Sequence, residues 1–295
     1  MNYYTLLFAY GTTLLACCFY GGVFAADTPI IGPQQASKEA PWINSLGMKF
    51  VPVKDTEVLF CIWDTRVQDF TTFAKAAEGT APVTGQELAK NWQSPFPGEW
   101  HTPKYQQSPL EPVCNVSWDE AKAFCRWLTQ TEHAAGRLAA DRQYRLPTDA
   151  EWSVAVGLGP EKGKTPHDKD SHIEIFPWGT QMLPPKGAGN YYGEEHRRNK
   201  YDTYLIAGYN DGFTLTSPVG SFPANACGLY DVSGNVWQWC EDLFDPPLPA
   251  RALRGAAWCT SDIYYLWSSR RIAVPPDDHY NYIGFRCVLA EGMTP

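Results

Sequence analysis

The segment that decides the fold is GLYDVSGNVWQWC, residues 228–240. Its glycines and asparagine favour turns, and its two tryptophans are large apolar side chains typical of a packed core. The segment is too irregular for a helix and too rich in turn formers for a plain strand. It therefore predicts a series of turns whose tryptophan side chains pack into the core. Asn235 and neighbouring backbone carbonyls are then available to hold a cation.

The composition is that of a globular protein rich in turns. The chain has 295 residues, of which 44% are hydrophobic and 19% charged, and it contains 24 Gly and 24 Pro. This balance indicates a large core with little long regular structure. The formal net charge is −8. Nucleic acid is not expected as a partner, because the chain has no basic stripe to neutralise phosphates.

The first 25 residues carry no charged side chain and end in Val-Phe-Ala, which has small residues at the positions that precede a cleavage point. We expect a signal peptide over residues 1–25 and an exported protein, periplasmic or secreted. Two other interpretations stay open. LLAC at residues 14–17 resembles a lipoprotein box, and the apolar run approaches the ~20 residues that a membrane anchor needs.

Cysteine usage is compatible with export. Of the nine cysteines, Cys17 and Cys18 lie in the predicted signal peptide, which leaves seven. An odd number leaves at least one thiol unpaired, and the sequence does not assign the pairings.

Residues 26–41 form a polar linker with prolines, and no change in composition interrupts residues 42–291, so we expect one domain there. Three residue pairs have the spacing of a helix capping box: Thr65 with Gln68, Ser117 with Glu120, and Thr148 with Glu151. The apolar run at residues 58–63 predicts a buried strand. The predicted fold class is therefore α+β.

The segment at residues 228–240 also resembles the GLYDMxGNVWEW signature of the formylglycine-generating enzymes, or sulfatase-modifying factors. Five further segments resemble motifs of this family in the same order: PVCNVSW (112–118), RLPTDAEW (145–152), FPWG (176–179), SPVGSF (217–222) and IGFRC (283–287). Six ordered motifs across one domain are a specific signal. The resemblance implies the family's variant of the C-type lectin fold.

The resemblance implies a first calcium site made by the side chains of Asn190 and Asp211 and the carbonyls of Tyr191 and Phe213. Ca²⁺ is a hard ion, and Asn, Asp and backbone carbonyls are its usual donors. A turn at each of the two side chains is the alternative. We expect the calcium site.

A second calcium site of the family would use Asn235 and a glutamate that is Gln238 in this chain. An amide keeps an oxygen but removes a formal charge, which weakens the attraction for a divalent cation. We therefore expect hydrogen bonds rather than a cation at this second site.

In active family members, a Gly-Gly-Ser segment leads into two cysteines five residues apart that bind copper(I). Soft thiolates suit this ion. Here residues 255–257 are Gly-Ala-Ala, Cys259 is the one thiol, and Tyr264 stands five residues later. We expect no copper site, and Cys259 is the one candidate catalytic residue. Its alternative role is that of a small buried hydrophobe.

The family's substrate groove would include Trp239, Trp258 and Arg271, although a salt bridge is an equal alternative for Arg271. Clustered aromatic residues nearby suit either a ligand platform or the core: Tyr264, Tyr265, Trp267, Tyr280 and Tyr282. The leading hypothesis is a binding or accessory module for a protein or peptide, such as an exported sulfatase, with carbohydrate as a second ligand class. The alternative is an oxidase that converts a sulfatase cysteine to formylglycine.

Overall fold

The helices that the structure describes are short, and three of them begin at the capping side chains of Ser117, Thr148 and Thr165. The computed structural model describes residues 32–79, 106–170, 175–199 and 203–292. In this part of the chain there are four α-helices: α1 (Val67–Gly79), α2 (Trp118–Ala134), α3 (Asp149–Val156) and α4 (Pro166–Lys169). The capping boxes of Ser117 with Glu120 and of Thr148 with Glu151 are confirmed at α2 and α3.

The capping box predicted at Thr65 is wrong. Helix α1 begins at Val67, and the backbone N–H of Arg66 donates to the Asp69 carboxylate at 3.0 Å. The same carboxylate accepts from the Arg66 guanidinium at 2.9 Å. One acidic side chain thus caps the helix and forms a buried ion pair, which Gln68 cannot do. The Thr65 hydroxyl instead lies 3.6 Å from the Cys287 sulfur.

In the described part of the chain, nine short strands form two sheets. The strands are β1 (Trp42–Ile43), β2 (Lys49–Pro52), β3 (Leu59–Cys61), β4 (Arg142–Arg145), β5 (Trp237–Leu243), β6 (Arg251–Arg254), β7 (Ile272–Val274), β8 (Ile283–Gly284) and β9 (Val288–Glu291). The order is β1-β2-β3-β9-β4 in one sheet and β7-β6-β5-β8 in the other. Strand β3 confirms the strand predicted at residues 58–63. The prediction of an α+β fold with little regular structure is confirmed as well.

The segment at residues 228–240 turns first and then becomes a strand. Gly234 (φ 82°) and Asn235 (φ 65°) are left-handed, and a side chain at Gly234 would meet the Asn190 carbonyl at 2.7 Å. The segment then enters β5, which lies between β6 and β8 and which the sequence did not predict. Trp239 is 0% exposed and its indole N–H donates to the Val116 carbonyl at 2.9 Å. The predicted turn anchored by indole rings is therefore present.

The N-terminal predictions fall largely outside the described residues. The predicted signal peptide and residues 26–31 are in this category. Residues 32–41 contain a 3₁₀ turn, Pro33–Gln35, and Lys38 donates to the Ala226 carbonyl at 3.1 Å, so this part of the predicted linker contacts the domain. Within the described ranges, no helix combines the length and apolar character that crossing a membrane requires.

Candidate functional site

Backbone hydrogen bonds join three segments in which the sequence places candidate site residues. The Asn235 N–H donates to the Asn190 carbonyl at 2.9 Å, and the Asn235 carbonyl accepts from Trp258 N–H at 3.0 Å. The Gly234 N–H donates to the Gly255 carbonyl at 2.7 Å. Both candidate cation sites and the loop that carries Cys259 are therefore parts of one substructure.

Asn190 is buried, with 1% exposure, whereas Asp211, the other side-chain candidate for the first calcium site, is half-buried. The Asn190 Nδ2 donates to the Leu215 carbonyl at 2.8 Å and to Asn235 Oδ1 at 3.3 Å. Its Oδ1 is buried and has no hydrogen-bond partner among the described residues. A buried acceptor without a donor costs about 1–3 kcal/mol. This oxygen is therefore suited to an added cation or water.

Asp211 is held next to Asn190 by the backbone. One carboxylate oxygen accepts from Tyr191 N–H at 2.8 Å and the other from Phe213 N–H at 2.9 Å. Burial, together with the charge of Glu195, raises the pKa of Asp211 to about 6, against the opposing effect of the two N–H groups. The carboxylate makes no ion pair within the described ranges. Its charge is thus oriented but not neutralised.

Glu195 and His196 lie near this site, and sequence reasoning missed them. The Glu195 carboxylate accepts from Gly193 N–H and contacts His196 Nδ1, both at 2.9 Å. Its Oε2 is buried and has no partner in the described part of the chain. The signal that could have found the pair is the polar run Glu194–His196 shortly after Asn190.

The second candidate cation site is filled by an amide. The Gln238 Nε2 donates to the Asp231 carbonyl at 2.8 Å and approaches the Val232 carbonyl at 3.5 Å. Its Oε1 accepts from Trp152 Nε1 at 3.2 Å and from Arg286 Nε at 3.3 Å. A glutamate could accept the last two bonds but could not make the first.

The Asn235 side chain is also engaged in hydrogen bonds. Its Oδ1 accepts from Ser217 N–H at 2.9 Å and its Nδ2 donates to the Ser217 carbonyl at 3.0 Å. These two bonds dock residue 217 onto the turn. The local geometry at Asn235 and Gln238 is therefore a closed hydrogen-bond network, whereas Asn190 keeps an oxygen without a donor.

Cys259 follows β6 in a loop that starts with left-handed residues, Gly255 (φ 103°) and Ala256 (φ 62°). Burial raises the pKa of the Cys259 thiol to about 11, so the thiol is protonated at neutral pH and is a poor metal ligand in that state. Tyr264 lies in a 3₁₀ turn and is 58% exposed. In the described part of the chain, the cysteine sulfurs that lie in contact are those of Cys125 and Cys287, which are 3.6 Å apart.

The three groove candidates have different environments. Trp239 is in the core, whereas Trp258 is half-buried and its indole N–H donates to the Asn281 carbonyl at 3.2 Å. Arg271 is 1% exposed, and its guanidinium donates to Asp149 at 2.8 Å and to Glu161 at 2.9 Å. A substrate could touch Arg271 only if this ion-pair network opened.

An aromatic surface flanks the Cys259 loop. We define it as Trp258, Tyr280 and Tyr282. Tyr280 is 38% exposed and stacks on Tyr282 with ring centroids 5.1 Å apart, and residue 281 between them holds the Trp258 indole. Trp267, by contrast, is 8% exposed. The cluster predicted from sequence thus divides between surface and core.

Comparison with known protein families matches residues 19–291 to the sulfatase-modifying factor enzyme 1-like domain. The chain belongs to this family. The inactive Cα-formylglycine-generating enzyme 2 of Mus musculus is 32% identical over 216 residues, which cover 69% of this chain and 59% of the mouse protein. The formylglycine-generating enzyme of Thermomonospora curvata is 30% identical over 247 residues, which cover 74% and 70% of the two chains.

The structure of PvdO from Pseudomonas aeruginosa matches with a TM-score of 0.52 at 22% identity, over 79% of this chain and 80% of PvdO. The predicted fold, the C-type lectin-like fold of the sulfatase-modifying factors, is confirmed. The family includes relatives named as enzymes and as inactive proteins at nearly equal identity to this chain. Overall similarity therefore does not decide between activity and inactivity, and the site residues must.

Proposed function

We propose that this sulfatase-modifying factor domain is exported, does not bind copper through a cysteine pair, and acts as a binding or accessory module. Its partner is a protein or peptide, with an exported sulfatase as the first candidate and a carbohydrate as the second. The observation that carries the proposal is the loop after β6, where Cys259 is a half-buried thiol and the position five residues later is the exposed Tyr264.

The residues of this loop do not fit copper(I). This ion selects soft thiolate ligands, and Cys259 is a protonated thiol whose +5 neighbour supplies a hard phenol oxygen. We therefore assign no oxidation step to this chain.

Calcium is different, because Asn190 and Asp211 fit it. Among the described residues, the Asn190 Oδ1 has no donor and the Asp211 carboxylate has no ion pair. The carbonyls of Tyr191 and Phe213 adjoin these two residues in sequence. Ca²⁺ would supply positive charge and about six to eight coordination positions for such oxygens. We propose that Ca²⁺ binds here and stabilises the loops, with no direct role in chemistry.

The aromatic surface supplies the binding function. Tyrosine and tryptophan are enriched at interface hot spots, because they bury a large apolar area with little loss of rotamer freedom. The net charge of −8 favours cationic ligands. A sulfatase peptide of the form Cys-x-Pro-x-Arg carries such a cation, so it is the first ligand to test.

Fluorescence anisotropy with a labelled Cys-x-Pro-x-Arg peptide tests the binding role. We expect saturable binding that Tyr280→Ala weakens about tenfold or more, as truncation of a hot-spot aromatic does. Tyr204→Ala is the matched control, since Tyr204 is 82% exposed and is not part of the aromatic surface. Equal loss in both variants, or no binding by wild type, would remove the sulfatase peptide as the ligand.

A further inference from the structure

A pocket of about 230 Å³ lies apart from the Cys259 loop, and its walls are polar and apolar in nearly equal parts. Trp178, Phe222, Pro223 and Leu229 are among the lining residues, and Asp231 supplies a carboxylate. We call it the Asp231 pocket. None of the residues of the aromatic surface lines it. It is therefore a separate concave site, and its volume is below the ~300 Å³ lower limit of common ligand pockets.

Asp231 is 6% exposed, and only one of its carboxylate oxygens is engaged. Its Oδ2 accepts from Gly220 N–H at 2.7 Å. Its Oδ1 is buried and lacks a hydrogen-bond partner among the described residues, and no ion pair described in the structure includes Asp231. Burying an acceptor in this way is unfavourable unless a donor is added.

The basic residues near this carboxylate are committed elsewhere or exposed. Arg286 lies 3.2 Å from the Asp64 carboxylate and donates to the carbonyls of Cys61 at 2.9 Å and Tyr230 at 2.6 Å. Lys186 lines the pocket but its side chain is exposed. The negative charge of Asp231 is therefore opposed only in part by the chain itself.

The chemistry of the lining selects an organic cation. A hard metal ion needs about six to eight oxygens, whereas about half of this lining is apolar and no three metal-ligating side chains cluster in the described residues. An ammonium group can donate to Asp231 Oδ1 and to the face of Trp178, and an alkyl chain can contact the walls. We propose that the Asp231 pocket binds a small primary alkylammonium ion.

Isothermal titration calorimetry with butylammonium, and with butan-1-ol as the neutral probe of similar shape, tests this assignment on the folded protein at pH 8. We expect butylammonium to bind at least about tenfold more tightly than butan-1-ol, the difference that a charged hydrogen bond supplies. In Asp231→Asn the two affinities become equal. Asparagine tolerates the left-handed backbone of residue 231 (φ 51°) and can still accept from Gly220 N–H.

Two further variants locate the site. Ala224→Leu fills the wall of the pocket, so both probes should lose binding. Lys186→Ala should keep or tighten butylammonium binding, because it removes a like charge from the lining. Thermal melts verify that each variant is folded. The assignment is overturned if butylammonium binds no better than butan-1-ol, or if Asp231→Asn keeps the difference. Neither result bears on the Cys259 loop, so this inference stands or falls separately from the proposed function.

Discussion

Two aspartates, Asp149 and Asp211, show how differently this fold treats a buried charge. Asp149 is 0% exposed and is bound by the guanidinium groups of Arg254 at 2.5 Å and Arg271 at 2.8 Å. Burial alone would raise its pKa, but the arginine charges outweigh burial and lower the pKa to about 2. Asp211 has only backbone N–H donors, and burial raises its pKa to about 6.

The difference indicates which regions are complete without a ligand. The Asp149 network neutralises its charge with the chain's own cations, and so it serves the fold. The region of Asp211 orients a carboxylate beside an amide oxygen that lacks a donor and leaves both for an added group. Buried charges that are not paired within a protein are frequent at functional sites. The contrast gives Asp149 a structural role, and it is the reason that we propose a binding role for Asp211.

The largest expected effect on stability comes from removing the Asp149 charge, which the chain's own arginines neutralise. Asp149→Asn leaves two buried arginines with one acidic partner fewer, and we expect the free energy of unfolding to fall by about 3–5 kcal/mol. Urea denaturation at pH 7 measures this loss. Asp277→Asn is the control, since Asp277 is exposed. A loss below about 1 kcal/mol would contradict the structural role.

The pH dependence sharpens the same contrast. The folded pKa of Asp149 is depressed below its ordinary value near 3.9, so its stabilisation is present above about pH 4 and is lost as the pH falls towards 2. This shift in pKa corresponds to a contribution of roughly 2–3 kcal/mol to the free energy of unfolding. The stability difference between wild type and Asp149→Asn should shrink by that amount between pH 5 and pH 2. A constant difference would show that charge is not the cause.

Calcium addition tests the proposed binding role of Asp211 and Asn190. If Asp211 and Asn190 bind Ca²⁺, the ion at 100 times its Kd stabilises wild type by about 2.7 kcal/mol, because it binds the folded state alone. Differential scanning calorimetry with Ca²⁺ and with EDTA measures the gain. We expect Asp211→Asn to lose the gain, and Asp277→Asn to keep it. A gain that persists in Asp211→Asn would place the ion elsewhere.

A smaller effect is expected at Gln238. Gln238→Glu removes the donor to the Asp231 carbonyl, although Arg286 can still pair with the new carboxylate. Without Ca²⁺, we expect the free energy of unfolding of this variant to be about 1–2 kcal/mol below that of wild type. Ca²⁺ should restore part of this loss by binding the new carboxylate, a group that wild type lacks at residue 238. Gln143→Glu, on half-buried β4, is the control. No change in either condition would contradict the closed network described for Gln238.

Local features of the fold were predictable from sequence, and long-range partnerships were not. The caps at Ser117 and Thr148 and the strand at Leu59–Cys61 depend on neighbouring residues, and these predictions are confirmed. The cap at Thr65 failed because the Arg66–Asp69 pair competes for the same helix end. The partners of Arg271 are over 100 residues away in sequence, so only the fold brings them together.

The candidate site follows the same division. Family motifs located Asn190, Asp211 and Cys259 in the sequence, but not whether their oxygens and sulfur have partners. The orphaned Oδ1 of Asn190 and the inward amide of Gln238 are consequences of packing between segments far apart in the chain. The Asp231 pocket was missed for the same reason, since its walls come from five separate stretches.

The most direct test of the central claim is mass spectrometry of a Cys-x-Pro-x-Arg sulfatase peptide after incubation with the protein, oxygen and copper(I), with Cys259→Ser in parallel. We predict that the peptide cysteine stays unconverted with both proteins, while a calorimetric transition shows that each is folded. Conversion to the aldehyde by wild type and not by Cys259→Ser would contradict the account. It would show that this chain is an oxidase that operates with one cysteine.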